Sequence, residues 1–147
     1  MKRSKRLSPV VVIAAKDTEA ALIKVGAANT AWLADKEQLD DLHRYRAEYL
    51  DRFRRGDKVV MSAQKVLELR SFLVHLDQAI DAQTQQVKTS YAVLARQRLF
   101  WQQASSKEQA MQLLVGRYQD EEFKQEARQE QLDNDEHNTS QWVRRPR

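Results

Sequence analysis

The sequence predicts an all-α protein: an antiparallel two-helix coiled-coil hairpin whose longer second helix projects beyond the first. Three observations carry this reading. Helix breakers are scarce, with three Gly (Gly26, Gly56, Gly116) and two Pro (Pro9, Pro146) in 147 residues. A sheet protein would need turn residues every 8–12 positions or so, and they are missing. Ala, Gln, Leu, Arg, Glu and Asp dominate, which is the composition of a long helix or coiled coil. Apolar residues recur at alternating steps of four and three along two long blocks, the spacing of a coiled-coil seam.

The first helix is expected over residues 9–54. Ser8 is a suitable cap and Pro9 a suitable first helical residue. The seam runs Ala14, Thr18, Ala21, Val25, Ala28, Trp32, Asp35, Leu39, Leu42, Arg46, Tyr49 and Phe53, with only three polar members. A turn is expected over 55–61, where Gly56 can take the left-handed conformation that ends a helix.

The second helix is expected over 62–136. Its seam is rich in apolar residues from Val66 to Ala104, and from Glu122 onward only Leu132 remains. Folding at Gly56 places residue i opposite about 115 − i. At 1.5 Å per residue, helix 1 is roughly 65 Å long and helix 2 roughly 110 Å. Helix 1 then runs out near residue 106. Met111, Leu114, Val115, Tyr118 and Phe123 would form a half-covered apolar strip on a projecting single helix. The same register sets Trp101 near Ala14 and Ala15, and Trp32 near Ile80 to Gln83. Residues 1–8 are left as a basic tail and 137–147 as a disordered basic tail.

The net charge of +4 is unevenly spread. Lys2, Arg3, Lys5 and Arg6 open the chain, and Arg144, Arg145 and Arg147 close it. Residues 119–137 hold eight acids against Lys124 and Arg128. Basic ends can touch nucleic acid or anionic lipid, and the plainer reading is solvated tails. With no cysteine there is neither disulfide nor thiolate. No apolar run approaches the roughly 20 residues that span a bilayer. No signal peptide is expected, because the stretch from Val10 to Ala15 is short and is followed by Lys16 and Asp17.

Nothing in the pattern suggests catalysis. The glycines are isolated, so no phosphate loop forms. His43 and His75 approach one another in the expected register, with Asp40 or Asp77 as possible co-ligands, but solvated histidines are the simpler reading. Adjacent acids such as Asp40 and Asp41 do not share a helix face. A hairpin offers no concave pocket. No enzyme activity, metal, cofactor, small-molecule substrate or nucleic-acid partner is expected. A wide apolar stripe at Phe72, Leu76, Ala79 and Gln83 is either a broadened core against Leu42, Tyr45 and Tyr49 or a docking strip.

Several stretches, in order, carry a family likeness: Arg6-Leu7-Ser8-Pro9-Val10-Val11 with residues 16–21, then 39–53 (LDDLHRYRAEYLDRF), and 71–87 (SFLVHLDQAIDAQTQQV), the best match. Trp101, residues 113–118 and 126–136 (EARQEQLDNDE) complete it. Taken together, over nearly the whole chain, they resemble the flagellar FliJ family. The resemblance implies a flagellar type III export component serving flagellum assembly, motility and chemotaxis. The family is similar to the stalk of rotary ATPases and enters the hexameric export ATPase. It also contacts the cytoplasmic domain of the export gate, works beside the ATPase regulator and escorts export chaperones. A monomer when free is expected, cytoplasmic and peripherally associated with the inner membrane at the flagellar base. Carried over by residue, the gate contact falls on Phe72, Leu76, Ala79 and Gln83, and Gln83 stands where some members have His. The ATPase-ring or chaperone contact is expected at Met111, Leu114, Val115, Tyr118 and Phe123. The alternatives are an injectisome stalk, a homodimeric structural coiled coil, or a nucleic-acid binder using its basic ends.

Overall fold

The computed structural model describes residues 1–55 and 62–144. It contains two α-helices, α1 (Arg3–Arg55) and the longer α2 (Ala63–Arg144). They pack antiparallel as a helical hairpin, with no strand among the described residues. Among the described residues no helix is long and apolar enough to cross a membrane. Gly56 and most of the expected turn lie outside the described residues.

α2 starts where the sequence places it. Ser62 caps it: the Lys65 amide donates to Ser62 Oγ at 3.3 Å, and the Val66 amide to the Ser62 carbonyl at 3.2 Å. α1 departs from expectation. It begins at Arg3 rather than residue 9, with the Arg6 amide donating to the Lys2 carbonyl at 3.1 Å. Pro9, expected as the first helical residue, sits inside the helix. Its missing N–H and its ring cost about 3 kcal/mol in a helix interior. Contacts between residues 2–4 and α2, described below, oppose that cost. At the other end, α2 remains helical to Arg144, past the expected end at 136.

Contacts divide the chain into two units, Met1–Glu19 with Gln102–Arg147, and Ala20–Trp101. In the second unit every seam position from Ala21 to Phe53 and from Val66 to Trp101 is buried or half-buried. Leu94 is fully enclosed, and Ala28, Leu69, Leu76 and Ile80 are also buried. Truncating a side chain such as Leu94 to Ala typically costs about 2–5 kcal/mol.

The register differs from the expected one. Asp35 meets Ser90, Arg46 Nε donates to Asp77 at 2.7 Å, and Trp32 lies against Tyr91 with ring centroids 5.5 Å apart. Tyr49 lies 4.4 Å from Phe72 by the same measure. Residue i of α1 therefore faces about 122 − i, one heptad from the expected 115 − i. Trp32 finds Tyr91 instead of Ile80 to Gln83, and Trp101 stands opposite Ala21 instead of Ala14 and Ala15. The reason is geometric. A slip of seven residues returns every seam position to an equivalent place, so apolar spacing cannot distinguish the two registers.

In the first unit, the segment from Arg3 pairs with α2 as far as Glu122 and Glu126. Ser4, Leu7, Val11, Ala14 and Thr18 face α2, extending the seam backward in the same steps of three and four. The helix expected to project alone beyond residue 106 is therefore paired over that stretch. From Phe123 onward every α2 residue whose exposure is described is exposed.

Candidate interaction surfaces

The first unit is closed by a polar clamp. Ser4 donates its hydroxyl to Glu122 Oε2 at 2.6 Å and its amide to Oε1 at 3.2 Å. The first turn of α1 contains no acid, so Glu122 supplies across the interface what a capping carboxylate supplies within a helix. Lys2 pairs with Glu126, and the Arg3 guanidinium sits 5.6 Å from the centre of the Tyr118 ring. The Ser4 hydroxyl bond holds the Glu122 carboxyl below its ordinary range, aided by the Ser4 amide and the Lys2 charge and opposed by partial burial. Two of the four N-terminal cations are thus engaged by α2 rather than held free in a tail. Periodicity could have found the clamp, since Ser4 and Glu122 both fall on the seam, but polar residues on a seam do not announce a partner.

The strip expected at Met111, Leu114, Val115, Tyr118 and Phe123 is split. The first four are half-buried in the seam with α1, and Phe123 is 72% exposed. The strip at 111–118 is half-covered as expected, but it lies against α1, which begins earlier and sits one heptad further along α2, rather than on a single projecting helix. Phe123 follows directly after Glu122, the last partly covered residue of α2.

The stripe at Phe72, Leu76, Ala79 and Gln83 is likewise divided. Leu76 is buried. Gln83 Nε2 donates to the Asp35 carbonyl at 2.9 Å, so both residues face α1. Phe72 packs edge-on to Tyr45 at 6.1 Å and beside Tyr49, half-covered. Ala79 is exposed. The broadened-core reading describes Phe72 and Leu76, and Ala79 with the outer edge of Phe72 remains accessible.

The observed register sets His43 opposite about residue 79, four residues from His75 instead of three. His75 Nδ1 lies 2.7 Å from the Ser71 carbonyl oxygen, and Asp77 is taken by Arg46. Among the described residues no three His, Asp or Glu side chains converge to hold a metal ion. Other apolar side chains stand outside the seam, including Ile23, Leu99, Phe100 and Leu113.

Comparison with known proteins gives one family. The model described as "Flagellar FliJ protein" matches residues 3–147. No curated protein and no solved structure matches.

Proposed function

This chain belongs to the flagellar FliJ family and is associated with flagellar protein export, and from that premise we propose that it is the stalk of the export ATPase ring. In this reading it links the ring to the cytoplasmic domain of the export gate, works beside the ATPase regulator and escorts export chaperones. It acts as a monomer at the cytoplasmic face of the inner membrane, at the base of the flagellum, with no chemistry of its own.

The observation that supports this most directly is the closed helix pair of the first unit. The clamp fixes the start of α1 on α2, and Phe123 emerges beside it as an exposed aromatic on α2. A fixed helix pair with an exposed aromatic beside it suits docking into a ring better than a frayed single helix does. The half-buried Met111, Leu114, Val115 and Tyr118 then hold the helix pair together, and Phe123 makes the contact. For the gate, Ala79 and the outer edge of Phe72 make the contact, while Leu76 and Gln83 hold the surface in place.

The test adds purified protein to the export ATPase and follows hexamer formation and ATP hydrolysis. The wild type should stimulate both. Phe123→Asp should abolish the stimulation, and Ala79→Arg should leave it intact while weakening binding to the isolated gate domain. Both variants should keep wild-type helicity. Stimulation by Phe123→Asp equal to wild type, or unchanged gate binding by Ala79→Arg, would remove the respective contact from the scheme.

A further inference from the structure

An apolar seam is indifferent to a slip of one heptad, yet the hairpin adopts one register. The second unit contains a polar layer that distinguishes the alternatives. The Asp35 carboxylate occupies a seam position and is half-buried. It accepts hydrogen bonds from the Ser90 hydroxyl and, at 3.3 Å, from Gln86 Nε2. Gln83 Nε2 donates to the Asp35 backbone carbonyl at 2.9 Å, so three α2 side chains converge on one α1 residue.

We propose that this Asp35 layer is a register lock, a conformational device that holds the two helices in one of several otherwise equivalent alignments. The slipped alternatives show how it acts. In the observed register Asp35 stands opposite the half-buried Val87; one heptad in one direction sets it opposite Ile80, and one heptad in the other opposite Leu94. Ile80 and Leu94 are buried aliphatic side chains, and Leu94 is fully so. By the same steps Gln83 or Gln97 takes the place of Ser90 and Ala79 or Val93 the place of Gln86, so the carboxylate keeps at most one of its two donors while staying partly shielded from water, which is disfavoured. A single polar residue on a seam is a known means of fixing register.

The other groups in the layer discriminate less. Ser90 also donates to the Gln86 carbonyl at 3.0 Å within α2, so it remains satisfied in any alignment. The amides of Gln83 and Gln86 can reach solvent. The penalty for slipping therefore concentrates on Asp35. A slip moves one helix past the other by about 10 Å. For any partner that reads residues on both helices, that displacement separates the two halves of its site.

The chain has no cysteine, so introduced pairs report register without background. Ala31, Lys24, Val93 and Phe100 are all exposed along one flank of the seam. With a short bis-maleimide cross-linker, Ala31→Cys with Val93→Cys reports the observed register. Lys24→Cys with Val93→Cys reports the slip that brings Asp35 to Ile80, and Ala31→Cys with Phe100→Cys the slip that brings it to Leu94. With Asp35 intact, only the first pair should cross-link. Asp35→Leu should keep its helicity by circular dichroism and raise the yield of at least one slipped pair tenfold or more. Asp35→Asn, which still accepts hydrogen bonds, should behave as wild type. An Asp35→Leu protein that cross-links only at the first pair overturns the proposal, as does a slipped product when Asp35 is present.

Discussion

Ser4 and Glu122 show how one pair of side chains can end a fold. The first amides of a helix have no partner within it. Here a carboxylate on the neighbouring helix accepts the Ser4 amide together with its hydroxyl. Because these bonds favour the ionised form, the folded-state pKa of Glu122 lies below the ordinary value of a glutamate. The sign follows from linkage. A lowered pKa contributes stability that is present above the unfolded-state value and is lost as pH falls through the folded-state value. The protection of the Ser4 amide in hydrogen exchange, corrected for intrinsic rates, should therefore fall as pH drops below about 4.3. Glu122→Gln should show reduced protection at neutral pH and no such acid step. An acid step unchanged in Glu122→Gln would assign the titration to another carboxylate.

At the scale of the helices, the sequence made the seam legible and left its alignment open. The apolar steps of four and three name the faces that meet, and those faces are the covered ones from Ala14 to Phe53 and from Val66 to Glu122. Register and the start of α1 were not legible, for different reasons. Register hangs on Asp35, Arg46 and Trp32, whose partners Ser90, Asp77 and Tyr91 are far away in sequence. The start of α1 was hidden by Pro9, a residue that ordinarily opens a helix and here lies inside one, with residues 2–4 held by α2. The stripe at Phe72–Gln83 was legible as apolar, but which members faced inward depended on register. The helix interiors also contain room for improvement. A Cβ built at Gly116 or Gly26 meets nothing within 4 Å, and neither glycine has a positive φ. Nothing in the fold requires glycine at either site. Gly116→Ala should stabilise the protein by about 0.5–1 kcal/mol, through helix propensity and a less flexible unfolded chain. Thermal unfolding followed by circular dichroism would show the rise, and a lower midpoint would mean that the site needs glycine for a reason outside the isolated chain.

At the scale of the whole molecule, the question is whether the seam closes within one chain or between two. The same apolar faces could pair between copies in a straightened dimer, and periodicity alone permits both. The hairpin closes the seam within the chain. Trp32 meets Tyr91, Asp35 meets Ser90 and Gln86, and Ser4 meets Glu122, all from a single copy. Closing a chain on itself costs only a slowly growing loop entropy, whereas a dimer must also overcome the loss of translational freedom. Unfolding of an intramolecular hairpin is independent of concentration, while that of an obligate dimer shifts with it by mass action. The midpoint should therefore stay constant over a hundredfold dilution, and light scattering should give one chain of 17.2 kDa. A doubled mass together with a midpoint that falls on dilution would move these contacts to an interface between copies. A stalk built from one chain could then no longer be the working form.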